Sequence, residues 1–238
     1  MISYDDIKVG FEFVSYEILL EKTILSSLKI THVVRAGGKV RVTDSNESKY
    51  GGRNCLECEI SSGEKVLFVK TKTFNYEFDG DGIISLYDGK PKWLFHKKEK
   101  EFNKLLTPED IEQYSSHIPE CWHGNFNFNS EIIFNEEVTR VGLRPPQLGG
   151  LFSIGAHWST SNSAGTVIMP TGTGKTETMI SSLVAFNPGR TLVVVPSDSL
   201  RTQTFNKFIR LGLLRKLMLV NGSVENPVVG YLRKGPKL

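Results

Sequence analysis

Cysteine is scarce in the 238-residue chain, where only Cys55, Cys58 and Cys121 occur. So few thiols, odd in number, make no disulfide framework, and a reducing, cytoplasmic setting is expected. Long apolar runs are missing too. No stretch approaches the roughly 18 apolar residues that cross a bilayer, and Met1-Ile2-Ser3-Tyr4-Asp5-Asp6 opens acidic where a secretory signal would be basic and then apolar. The third shortage is local. Residues 140–238 hold 3 Asp/Glu against 12 Lys/Arg, net +9, whereas residues 1–139 hold 23 against 17, net −6. A basic second half suits a polyanion, and equally an acidic partner surface.

The 39% of hydrophobic residues excludes a disordered chain and supplies one large core or two modest ones. Over residues 11–29, Val14, Ile18, Leu20, Ile24, Leu25 and Leu28 fall largely at helical spacing, which predicts a helix. The period then changes. Runs 30–34, 39–43, 54–60, 65–73 and 83–87 are short and β-prone, broken by Gly37-Gly38, Gly51-Gly52, Ser62-Gly63, 79–82 and Asp88-Gly89, which predicts an antiparallel sheet with hairpins. A charged helix over 97–106 and a second helix starting at Thr107-Pro108-Glu109-Asp110 follow.

Two chemistries for this half are outweighed by simpler readings. Cys55 and Cys58 have zinc-knuckle spacing, with Cys121 and His123 as remote partners, but on a strand the pair points to opposite faces. Buried thiols are the expectation. Asp44, Glu57, Glu59 and Lys70 or Lys72 have the composition of a metal-dependent nuclease, yet charged residues also line the wet face of any such sheet. Trp122, Phe126, Phe128, Ile132, Ile133 and Phe134 among amides suggest a packed linker more than a base-stacking surface.

The informative stretch is 165–178, where an apolar strand-like run leads into Pro170-Thr171-Gly172-Thr173-Gly174-Lys175-Thr176-Glu177. Gly172 and Gly174 permit backbone angles that let successive amides converge on one anion, and a helix starting near Lys175 aims its free N–H groups there. Lys175 adds a mobile cation, and the Thr176 hydroxyl suits a phosphate-bound Mg²⁺. The strict phosphate-loop pattern has Gly where Met169 stands. Downstream, 176–185 predicts an amphipathic helix, 191–196 a buried parallel strand, Ser197 or Asp198 a helix cap, and 217–220 a third strand. Leu200, Phe205, Phe208, Ile209 and Leu211 suit burial, and 223–238 shows no clear strand. A helix over 146–158 precedes the loop.

With these pieces in place, residues 140–222 resemble the beginning of the first RecA-like motor domain of superfamily 2 helicases, in particular the DEAD/DEAH-like and type III restriction enzyme helicase-subunit group. Arg144-Pro145-Pro146-Gln147 resembles their adenine-reading motif, 170–176 their first helicase motif, and 195–203 their motif Ia. The resemblance implies ATP and Mg²⁺ as cofactors, held by Gln147, Thr171, Gly172, Thr173, Gly174, Lys175, Thr176 and Glu177, with Lys175 catalytic and Thr176 on the metal. It implies contact of Pro196, Ser197, Leu200, Arg201 and Gln203 with a nucleic acid backbone, Ser197 donating first to phosphate. DNA is favoured over RNA, with protein partners in a defence or repair complex and no membrane.

The expected fold class is α/β, a truncated RecA-like phosphate-loop NTPase domain preceded by an α+β, mostly antiparallel accessory domain. The expected boundaries are 1–130 for the accessory domain, 131–142 for a linker and 143–238 for the motor part. No Asp-Glu-x-His/Asp motif and no second motor domain follow motif Ia. The function implied is an ATP-dependent helicase or translocase seen as a fragment. The alternative is a nonmotor ATP-binding regulator on a degenerate helicase-like domain.

Overall fold

The computed structural model describes residues 3–15, 17–25, 28–35 and 38–232. Packing divides the chain into two units, Met1–Lys22 with Val33–Thr107, and Thr23–His32 with Pro108–Leu238. The division at Thr107 precedes the 131–142 span expected to join two domains.

The chain up to Thr107 contains β1 (Glu12–Ser15), β2 (Ile18–Leu25), β3 (Leu28–Arg35), β4 (Gly38–Tyr50), β5 (Arg53–Ile60), β6 (Lys65–Val69), β7 (Gly82–Ser85) and β8 (Lys92–His96), followed by helix α1 (Lys97–Lys104), and Thr23–His32 of β2 and β3 belong to the second unit. Six strands form one sheet in the order β1-β4-β5-β6-β7-β8. Neighbours are antiparallel except β6 and β7. Gly51 and Gly52 take φ of +56° and +76°, the left-handed pair that a tight hairpin turn between β4 and β5 requires. Alternation along the strands sends Leu56, Cys58, Ile60, Val66, Phe68 and Ile84 into one apolar cluster. Cys55, Leu67, Val69 and Ile83 enter another, so the sheet buries both faces. His96 then turns the chain into α1, its Nδ1 accepting the Lys98 N–H at 3.3 Å.

The helix expected over 11–29 is replaced by β1, β2 and the start of β3. Of the apolar positions 14, 18, 20, 24, 25 and 28, all but 25 are even, so most of them satisfy a period of two as well as one of 3.6. In β2 the buried Ile18 and Leu20 alternate with exposed Leu19 and Glu21, the signature of a strand. Residues 16, 26, 27 and 37, part of the expected helix and turns, lie outside the described residues.

The second unit contains α2 (Pro108–Ser115), α3 (His117–Trp122), β9 (Ile132–Phe134), β10 (Glu137–Arg140), α4 (Pro145–Thr160), α5 (Lys175–Phe186), α6 (Asp198–Phe208) and β11 (Val228–Leu232). Its core gathers Ile180, Leu183 and Val184 of α5 with Leu143, Leu151, Phe208, Leu211, Leu214, Leu219, Val220 and Val224. Each such aliphatic side chain contributes about 1.5–3 kcal/mol by leaving water. Because α5 also buries Glu177, Thr178, Ser181 and Ser182, it is the central helix. β11 pairs antiparallel with β3, from Val228 opposite His32 to Leu232 opposite Leu28, in the sheet β11-β3-β2.

The fold class is the expected one, a mixed α/β architecture with a RecA-like domain and a mostly antiparallel accessory domain. Four local expectations fail. Residues 191–195 are unpaired, with Leu192 and Val194 more than 80% exposed, so this is no buried parallel strand. The run before the loop is likewise unpaired, Ile168 being 91% exposed. Both runs have strand composition, but among the described residues no neighbouring strand pairs with them. Residues 209–219 form turns in place of a third strand, with Leu211 and Met218 at positive φ, and only Val220 makes a bridge, to Phe126. The fourth miss is β11, which lies where no strand was expected.

Candidate nucleotide and nucleic acid site

Two helix N-termini carry the candidate residues. At the first, Gly172 and Gly174 adopt φ of +81° and +87°, and Gly174 is the N-cap of α5 with no side chain capping it. The first-turn N–H groups of α5 therefore face the loop with the positive end of the helix dipole behind them. A Cβ on Gly172 would meet nothing within 4 Å, whereas one on Gly174 would strike Gln147 Nε2 at 2.1 Å. The loop is open on the Gly172 side and braced at Gly174. Met169 needs no glycine because its φ is not positive, and its sulfur packs at 3.5 Å from where a Cβ on Gly150 of α4 would sit.

The Pro170 carbonyl collects the loop. It accepts from Lys175 Nζ at 2.9 Å, from the Thr173 hydroxyl at 2.7 Å and from the Thr173 N–H at 3.4 Å. Lys175 thus arches back over Thr171-Gly172-Thr173 with its ammonium already inside the turn, and it remains exposed. Thr176 is half-buried in the first turn of α5.

Gln147 is buried at the N-terminus of α4 and uses both ends of its amide. Its Oε1 accepts the Arg144 N–H at 2.8 Å, and its Nε2 donates to the Gly174 carbonyl at 3.3 Å. Arg144 donates from its guanidinium to the Gly172 carbonyl at 3.2 Å. The adenine-like motif and the phosphate loop are therefore one hydrogen-bonded assembly. The resemblance gives Arg144 no role of its own, and its reach to the loop is a matter of folded geometry.

Glu177 turns away from the loop. It is buried, and its Oε1 accepts from Lys207 Nζ of α6 at 2.6 Å. Neither partner was expected to meet the other.

At the second N-terminus, Ser197 caps α6 by accepting the Leu200 N–H at 3.3 Å. Its hydroxyl hydrogen stays available. Pro196, Leu200 and Gln203 are exposed and Phe205 is half-buried, so of the residues expected to be buried only Phe208, which ends this helix, and Ile209 and Leu211 beyond it are buried. Arg201 pairs with Asp198 at 2.7 Å and reaches Tyr231 of β11. Of the other basic residues in this half, Arg215 faces inward to the carbonyls of Arg210 and Val224 and to Asn226, and burial lowers its pKa. Arg233, Lys234 and Lys237 lie outside the described residues.

The competing chemistries gain little from the fold, although Asp44 lies opposite Glu59 across β4 and β5. Cys55 and Cys58 enter different clusters, and Cys121 Sγ donates to the Ile118 carbonyl at 3.0 Å. Burial raises the pKa of all three thiols, that of Cys58 to about 12, which disfavours the thiolate a metal needs. Glu57 accepts from the Tyr50 hydroxyl at 3.0 Å, while Lys70 and Lys72 lie over the rings of Tyr4 and Tyr87. Among the described residues no group of three or more His, Cys, Asp or Glu could hold a metal ion. Nor is any helix among them long and apolar enough to cross a membrane.

A glycine-bearing turn opening a buried helix, followed by a second capped helix, is consistent with a RecA-like, helicase-like domain. More specifically, residues 140–225 match the family model described as type III restriction enzyme, res subunit, so a domain of that superfamily 2 helicase-like family is present. No curated protein and no solved structure matches the chain.

Proposed function

We propose that residues 143–238 are the N-terminal part of an ATP-binding motor domain, and that the protein they serve is an ATP-dependent nucleic acid translocase or helicase. The observation that carries the reading is the loop itself: Gly172 and Gly174 in left-handed conformations, the uncapped N-terminus of α5, and Lys175 Nζ folded back over the turn. An anion entering on the open Gly172 side would meet the first-turn amides, and Lys175 would exchange the Pro170 carbonyl for it. Thr171, Thr173 and Gly174 shape the turn, Thr176 offers a hydroxyl to Mg²⁺, and Gln147 braces Gly174. Bound Mg²⁺·ATP would supply the phosphoryl group whose transfer releases energy.

Ser197, Arg201 and Gln203, with Pro196 and Leu200 beside them, would hold a nucleic acid backbone at the N-terminus of α6. Positive charge over 140–238 suits such a polyanion, and DNA is proposed before RNA. Protein partners in a defence or repair complex, and a cytoplasmic setting, belong to the same proposal. Binding of a fluorescent ATP analogue tests it, with Lys175→Ala expected to weaken affinity by on the order of tenfold to a hundredfold. Unchanged affinity in that variant would remove the reading.

A second reading is a nucleotide-binding regulator without turnover. It draws on Glu177, the only carboxylate between Pro170 and Phe186, which is occupied by Lys207. ATP binding by the intact protein with no hydrolysis, in the presence or absence of DNA, would favour it over the motor.

A further inference from the structure

Tyr231 stands on β11, beyond the residues that match the helicase-like family model, yet four features tie it to the first turns of α6. Its hydroxyl accepts Arg201 Nε–H at 3.3 Å. The same hydroxyl shares a hydrogen bond with Thr202 Oγ1 at 3.3 Å. The Arg201 guanidinium carbon sits 5.1 Å from the centre of the Tyr231 ring. That ring also meets Phe205 edge to face, with centroids 5.1 Å apart. On its other side Arg201 is held by Asp198 at 2.7 Å.

We infer that Tyr231 is a positioning residue for nucleic acid binding, which fixes the Arg201 guanidinium beside the Ser197 cap so that both donate to the same stretch of sugar-phosphate backbone. The inference rests on the proposed backbone contact of α6 and adds to it a residue outside the matched domain. A free arginine side chain loses several rotors on gripping a phosphate. Here the Tyr231 ring and hydroxyl, with Asp198, settle those rotors in advance, so binding costs less ordering. The planar guanidinium has five donors. Nε is committed to Tyr231 and one terminal nitrogen to Asp198, which leaves donors on the terminal nitrogens for phosphate oxygens. The strand holding Tyr231 is itself fixed by its pairing with β3, where Tyr231 lies opposite Lys29.

The test is a double-mutant cycle on the full chain, read by anisotropy of labelled oligodeoxythymidine of about 20 nucleotides across a salt series. Arg201→Ala is expected to weaken binding by on the order of tenfold and to reduce the slope of log affinity against log salt by about 0.7, one phosphate contact. Tyr231→Ala should weaken binding several-fold in the parent and produce no further loss in the Arg201→Ala background. Tyr231→Phe keeps the ring and loses only the hydroxyl bonds. It decides the case if Tyr231→Ala does not fold, and is expected to fall between parent and Arg201→Ala. Equal losses from the Tyr231 change in both backgrounds would overturn the positioning role while leaving the α6 contact intact. No effect of Arg201→Ala would overturn both.

Discussion

Glu177 Oε1 of α5 accepts from Lys207 Nζ of α6 at 2.6 Å, with the carboxylate buried and the lysine about one third exposed. The pair joins the helix that starts at the phosphate loop to the helix that starts at Ser197. Its two ends are not equivalent, because one can regain water and the other cannot.

That asymmetry predicts unequal costs. Lys207→Met strands a buried carboxylate and should destabilise the chain by about 3 kcal/mol. Glu177→Gln leaves an amine that turns to solvent, so about 1 kcal/mol is expected. Urea unfolding monitored by circular dichroism gives both values, and equal losses would show that the pair shares water evenly.

Gly174 predicts strain. Its φ of +87° disfavours any side chain, and a Cβ would lie 2.1 Å from Gln147 Nε2. Gly174→Ala should cost about 1–3 kcal/mol and also displace Gln147. Gly172→Ala, with open space ahead of it, should cost less, about 1 kcal/mol. Comparing their melting temperatures checks the order.

Gln147 separates bracing from base reading. Its two hydrogen bonds go to Arg144 and Gly174, so Gln147→Ala should weaken ATP and inorganic triphosphate by the same factor, about tenfold. Competition titrations against a fluorescent ATP analogue measure this. A loss confined to ATP would make adenine its chief partner.

Cys58 predicts an alkaline limit. Burial, aided by the Asp44 carboxylate, pushes its thiol from 9.0 up to about 12. The sign follows from linkage: the unfolded chain releases this proton near pH 9 and the folded chain holds it, so the stabilising difference is complete below pH 9 and disappears as pH rises toward 12. Urea midpoints taken from pH 8 to 11 should fall, and fall less steeply in Cys58→Ala, which has no proton to lose.

The turn and the helix starts of the second unit were legible in the sequence because they are local. Pro170 to Thr176, the Arg144 to Gln147 run and the Ser197 cap each declare themselves within a few residues. The hairpins of the first unit were legible for the same reason, as with Gly51-Gly52 between two β-prone runs. What was hidden depends on distant neighbours. Residues 14–28 fit two periods at once, and packing chose the strand. Residues 191–195 have strand composition, but a strand needs a partner as well as a sequence. Glu177 with Lys207, and Arg201 with Tyr231, are 30 positions apart and carry no motif.

The pairing of β11 with β3 ties segments roughly 200 residues apart in sequence, the kind of contact that slows folding most. On the ribosome, the 28–32 segment emerges long before its mate at 228–232 exists. The early hairpin must therefore wait with one edge open, a window in which it invites mispairing. The same pairing that closes this edge presents Tyr231 to Arg201.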